Sequence, residues 1–407
     1  MAFRSPSLNR RALLGAAGAS FAFASIPKWA SAAPSRDPRL VVVILRGALD
    51  GLSAVAPIGD PDYADLHGAL ALRWDDPNPA SRLGDFFGLH PSMKQFARLY
   101  DAKQALVVHA TATHYRDRSH FDGQDVLESG RSGPGQTESG CLNRAVAALP
   151  KGERVAGENA LAVGYTAPLV MRGPAAILGW APSTLAVPAG DLTNRLLNLY
   201  AHTDPTLAKA LQEGLDADQM ASRQGMGDIK PGGDVAKQMK AAAVGAARLM
   251  SADGGPRIAA MATDGWDTHA GEGGATGRLA QLLDGLDGVF AAFESELGPR
   301  WNDTIVIAIT EFGRTARING TVGTDHGTGT VAFLAGGALA GGRVIADWPG
   351  LKEVDLFEKR DLRPTTDLRG VIKGVLADHL GLSREVLARD VFPDTIGVAP
   401  MKGLIAA

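Results

Sequence analysis

Residues 39 to 52 read RLVVVILRGALDGL, and this stretch decides the fold. Leu40 to Leu45 are all apolar and mostly β-branched, the signature of a central strand covered on both faces. The run ends in Arg46 and Gly47, where glycine lets the chain turn, and Asp50 is presented at the strand's C-terminal end. Similar runs recur at ALVVHATA (105–112), RIAAMATD (257–264), TIVIAITE (304–311) and TVAFLAGG (330–337). Between them MKQFARLYDA, VAKQMKAAAVGAARLMSA and LAQLLDGLDGVFAAFESEL carry apolar residues every three or four positions, the spacing of amphipathic helices. Strands alternating with helices require crossover connections, so the pattern predicts an α/β three-layer sandwich on a mostly parallel sheet. Residues of about 150–235 read differently, with several prolines and short elements, and are expected to form a cap-like insertion over the sheet.

The chain has 407 residues, 45% hydrophobic and 21% charged, with a net charge of -3. This is an ordinary globular balance and argues against a nucleic-acid partner. Residues 1–32 read as a cleavable export signal: Arg4, Arg10 and Arg11 precede the mild apolar run ALLGAAGASFAFASIP, and Ala30 to Ala32 have the small-residue pattern of a cleavage site. The apolar run is too short to span a bilayer, and no transmembrane segment is expected in the mature chain. The adjacent Arg10 and Arg11 suggest export by the twin-arginine translocase to the periplasm or medium. Cleavage removes four cations and no acid, taking the formal charge from -3 to -7. Cys141 is the only cysteine, so no intramolecular disulfide can form; its helical surroundings mark it as a small buried residue. No P-loop or dinucleotide fingerprint is present.

In parallel sheets ligands collect at the carboxyl ends of the strands. Five clusters of polar residues fall there: Asp50; HYRDRSHFDGQD (114–125); TDGWDTHAG (263–271); Glu311 with Arg314; and Asp325 with His326. Their carboxylates and imidazoles suit a divalent metal: zinc, calcium, magnesium or manganese. Asp267 and His269, two residues apart, point to the same side of an extended segment and can serve one ion. Each cluster also has a plainer reading: Asp50 as a helix cap, DGWDTH as a turn packed by Trp266, His326 as a turn residue. Ser119 precedes a helix start, where it can be an N-cap or a hydroxyl activated by the helix dipole and a metal.

The stretches VVVILRGALDGL, RSHFDGQD, DGWDTHAGEGG, TEFGRTARINGTVGTDHGTG, GGRVIADWPGL and DLRPTTDLRGVIKGVLADHLGL resemble, in this order, the bacterial domain-of-unknown-function 1501 family. That family is similar to the alkaline phosphatase and sulfatase superfamily, and the resemblance implies an alkaline phosphatase-like domain over residues 33–407. It further implies an exported metal-dependent hydrolase of phosphate or sulfate esters acting on a small-molecule or glycan ester. On that pattern Ser119 is the nucleophile, and Asp267, His269 and His326 hold one ion, with Asp264 an alternative carboxylate. Asp50 and Glu311 hold a second ion, and Arg118 or Arg314 neutralises the developing charge. Phe312 stands where the second ion expects an imidazole, and Asp325, Arg314 or His120 could fill that gap. The alternative is a non-catalytic relative that keeps the fold and acts as a periplasmic binding or structural protein. His379, in the closing helix, reads as structural.

Overall fold

The computed structural model describes residues 36–149, 160–182, 190–209, 211, 212, 214, 215 and 233–406. The expected export signal, residues 1–32, lies outside them. The strands are β1 (Arg39–Leu45), β2 (Val55–Ala56), β3 (Ser81–Leu83), β4 (Phe87–Leu89), β5 (Ala105–Ala112) and β6 (Ala160–Val163). They continue with β7 (Leu178–Trp180), β8 (Ile258–Thr263), β9 (Thr304–Ile309), β10 (Thr330–Ala335), β11 (Arg343–Ile345) and β12 (Thr366–Asp367). The main sheet runs β11-β5-β10-β9-β1-β8-β6-β7, with β12 paired to the end of β5; β2, β4 and β3 form a small antiparallel sheet.

β1 is central, parallel to β8 on one side and to β9 on the other, with Val43 opposite both Met261 and Ala308. Side chains alternate across a strand. Val41, Val43 and Leu45 accordingly enter one core with Phe96, Met239 and Phe290, and Leu40, Val42 and Ile44 enter the other with Leu142, Val371 and Phe392. Helices Lys94–Asp101, Val235–Ser251 and Arg278–Leu297 cover the first face; Cys141–Ala148 and Leu368–Asp378 cover the second. Each fully buried Val, Leu or Ile contributes about 1.5–3 kcal/mol, so β1 needs both helical layers and makes the architecture a three-layer α/β sandwich.

One strand breaks the parallel rule. β10 is antiparallel to both β9 and β5, with Thr330 opposite Thr111 and Ala335 opposite Ala105. The start of β10 therefore lies at the edge where β1, β5, β8 and β9 end. A residue just before β10 and residues just after its neighbours are brought to one place.

The segment expected as a cap-like insertion is described in part, and Gly190–Thr203 in it is helical. Its described part adds β6 and β7 to the main sheet, in register with β8 through Leu161 and Ala259. These strands are short, and Pro168 and Pro174 lie between them, which hid their continuity with the sheet. Cys141 is fully buried and its thiol is pushed up to about 12 by burial, an inert packing residue. His379 is buried and donates from Nε2 to the Arg39 carbonyl at 3.0 Å, a structural role.

Candidate metal centre

Three segments build the centre, each from the strand edge just described. After β5, Arg118 adopts a left-handed φ of 59°, and Ser119 is extended ahead of the helix His120–Ser129. Ser119 holds the N-cap position but its side chain makes no capping bond; its backbone N–H meets the Tyr115 hydroxyl at 3.3 Å. His120 thus opens the helix at the sheet edge. Its ring stacks on the buried Phe312, with centroids 5.0 Å apart.

The second segment follows β8. Trp266 is fully buried and donates to Thr263 Oγ1 at 3.1 Å, so the turn is pinned from below and Asp267 and His269 face outward. Gly47 makes this approach possible: its φ is 120°, and a Cβ there would sit 2.5 Å from the Asp267 amide nitrogen. The third segment is the loop between β9 and β10. A Cβ on Gly327 would lie 2.3 Å from the Arg314 carbonyl carbon, so glycine lets the two arms of the loop touch and sets His326 beside its partners.

The Nε2 atoms of three histidines converge. His326 Nε2 lies 2.9 Å from His120 Nε2 and 3.0 Å from His269 Nε2. Asp267 completes the group, with Oδ1 3.1 Å from His269 Nε2 and 3.4 Å from His326 Nε2, and Oδ2 3.5 Å from His120 Nε2. His120, Asp267 and His326 each offer a donor atom within 4.8 Å of the others.

The opposite ring nitrogens settle the proton positions. His326 Nδ1 is 2.9 Å from the Arg118 carbonyl, which can only accept, so that nitrogen carries the proton. His120 Nδ1 bonds Glu311 Oε1 at 2.8 Å, and His269 Nδ1 bonds Asp325 Oδ1 at 3.1 Å. Burial opposes ionisation of Glu311, but bonds from His120, Gln124 and the Gly47 amide hold its carboxyl below the usual range. A bond from Asn319, together with His269, does the same for Asp325. Both carboxylates are acceptors, so each Nδ1 donates, and in the neutral rings the Nε2 atoms of His120 and His269 both turn a lone pair toward His326 Nε2. Such lone pairs repel unless a cation or a shared proton lies between them. The bond to Glu311 raises the His120 pKa, whereas burial and the nearby His120 lower that of His326.

The donors fit a transition metal. Ligand nitrogens about 2.0–2.1 Å from a tetrahedral zinc ion lie roughly 3.3 Å apart, close to the separations seen. Three imidazoles also favour zinc over calcium or magnesium among the ions expected. The carboxylates and carbonyl on the Nδ1 side are acceptors of the kind that orient histidines when these hold a metal.

Several expected residues play other parts. Asp50 is buried as the N-cap of the short helix Gly51–Ala54, its Oδ1 accepting from Leu52 N at 2.9 Å and Ser53 N at 3.1 Å, with His67 Nε2 3.4 Å from Oδ2. Asp50 thus serves as a helix cap, the plainer of its two sequence readings. Glu311 is an orienting carboxylate on His120, and Asp325 has that role on His269. Arg314 is buried and holds Asp267 Oδ1 at 2.6 Å, with further bonds to the Thr324 hydroxyl and carbonyl. Arg118 directs its guanidinium to Asp361 and Glu358. Both arginines are engaged within the protein, Arg314 with Asp267 and Thr324 and Arg118, through Nε and Nη2, with Asp361 and Glu358. Asp264 is exposed and has no partner among the described residues. His120, named in the sequence reading only as one way to fill a gap, is a full member of the centre. Its signal was its place, at the start of a helix immediately after an apolar strand.

No curated protein matches this chain. A solved structure described as the crystal structure of Ps i-CgsB in complex with k-i-k-neocarrahexaose is similar at 10% identity and a TM-score of 0.41, over 89% of this chain and 77% of that one. The family model for a protein of unknown function, DUF1501, matches residues 37–391, and the chain belongs to that family.

Proposed function

We propose that this chain is an exported, metal-dependent hydrolase of phosphate or sulfate esters, with one divalent ion held by His120, Asp267, His269 and His326. The observation that carries this reading is the convergence of three Nε2 atoms, each with its Nδ1 anchored on an acceptor. A bound divalent ion supplies Lewis-acid polarisation of the ester and stabilises the departing oxygen. The chain's own residues do the rest. Arg314 fixes Asp267, and although burial opposes ionisation this contact keeps its carboxyl below the usual range. Phe312 backs the rings of His120 and His326. Ser119, next to His120 at the helix N-terminus, is the candidate nucleophile: its oxygen bonds to phosphorus or sulfur as the ester oxygen departs with a proton, and water then releases the acid and restores the hydroxyl. The resemblance to the alkaline phosphatase and sulfatase superfamily supports this class, and the sequence of residues 1–32 supports export.

Purified native protein should contain close to one equivalent of zinc or a similar ion and should hydrolyse an aryl phosphate or an aryl sulfate. Ser119→Ala should abolish turnover and keep the metal. Metal-free protein with no turnover on either ester class would end this reading. A second reading has its own observation. Arg118 and Arg314 are both paired with carboxylates of the chain, which fits a non-catalytic periplasmic protein holding the ion for stability or binding. Metal-bearing protein without turnover on either ester would favour it.

A further inference from the structure

A cavity of about 590 Å³ opens at the carboxyl ends of β6 and β8, lined in part by the start of the turn that carries Asp267. Its wall includes Val163, Met239, Ala242 and Met261, with Tyr165 and Asp264 also lining it. Its size suits a small organic molecule. The same turn serves both places: Thr263 and Asp264 line the cavity and Asp267 carries the centre, and three residues of chain span at most about 10 Å. A single substrate can reach from one to the other.

The charges say which part of a substrate fits. Arg46 also lines the cavity, but its Nε and Nη2 both donate to Glu128 Oε1, at 3.1 and 2.6 Å, so its positive charge is already matched. Asp264 leaves an unmatched negative charge among the described residues and repels an anion. We infer that this cavity binds the uncharged, apolar alcohol portion of the ester, an aryl or alkyl group, and directs the anionic end toward the histidines. This rests on the hydrolase reading for the word ester, but binding of the alcohol itself needs neither metal nor turnover.

The test uses metal-stripped full-length protein and 2-naphthol followed by titration calorimetry, with glucose as a polyol control. Saturable binding of about one naphthol per chain is expected, and none of glucose. Val235→Trp, at an exposed lining position early in the helix Val235–Ser251, and Ala242→Trp, from the same helix, should fill the cavity and weaken naphthol binding at least tenfold. Val235 is 43% exposed, so its variant should fold even if the other does not. No saturable naphthol binding, equal binding by Val235→Trp, or binding of glucose in its place would overturn the inference. With 2-naphthyl phosphate or sulfate, Val235→Trp should raise KM and leave kcat near the wild-type value. Absence of turnover in wild type together with intact naphthol binding would count against the hydrolase reading alone.

Discussion

His326 is the imidazole whose proton position is fixed by a carbonyl, and it touches both other histidines, so it is the residue on which the centre depends. His326→Ala and His120→Ala should each lower bound metal to well below one equivalent, measured by elemental analysis of dialysed protein. Glu311→Gln keeps the shape but weakens the acceptor on His120 and should cost roughly 10–100-fold in metal affinity. Asp50→Asn supplies the contrast. Asparagine still caps the helix and no ligand is removed, so metal content should be unchanged. A second pH-sensitive group lies deeper. Glu272 is fully buried and its carboxyl is pushed up to about 8, by burial first and then by Asp50; burial opposes the shift of Asp50, but His67 holds it down to about 2. In the unfolded chain Glu272 returns to the ordinary glutamate range, so the folded state binds the extra proton between the two values. Stability on this account is greatest below the ordinary range, falls as pH rises, and has lost the whole contribution above about 8. Glu272→Gln stays neutral throughout. Its melting temperature should exceed wild type at pH 9 by several degrees and the gap should close toward pH 5; a gap that is constant with pH would refute the assignment.

At the level of elements, glycines decide how closely the strand-end loops approach. Gly47 lies where a side chain would strike the backbone of the turn carrying Asp267. Gly47→Ala combines that clash with a left-handed backbone and should destabilise by about 2 kcal/mol or more. It should also lower metal affinity, because Asp267 and His269 move with the turn; calorimetric melts with and without chelator would separate the two effects. The same elements explain what the sequence disclosed. The apolar runs of β1, β5, β8, β9 and β10 were legible because burial on both faces leaves no polar alternation. The rule that ligands gather at strand ends pointed to Asp267, His269 and His326. The reversal of β10 was not legible, since an isolated apolar run carries no direction, and without it His326 could not be set against His120. Asp50 reads either way, because a capping aspartate and a metal-binding aspartate look alike in sequence; the structure shows the cap, with Oδ1 accepting from the amides of Leu52 and Ser53.

Across the whole molecule, the centre ties together segments that are far apart in the chain: 206 residues separate His120 from His326. None of these side chains is arranged before the sheet is complete, so the unfolded chain has no comparable site, and on the proposed reading a bound ion adds to folding stability. The increment follows RT ln(1 + [M]/Kd), about 4 kcal/mol when free metal is a thousandfold above Kd. Stripping the native protein with a chelator should therefore lower its melting temperature by several degrees, and adding back zinc should restore it. The deletion of one ligand distinguishes this from a general salt effect. His326→Ala should melt near the stripped wild type, since its imidazole is partly exposed and contributes little packing, and it should no longer respond to chelator or zinc. If instead the variant keeps the full wild-type response, the ion sits elsewhere in the protein and the convergent histidines are held only by shared protons.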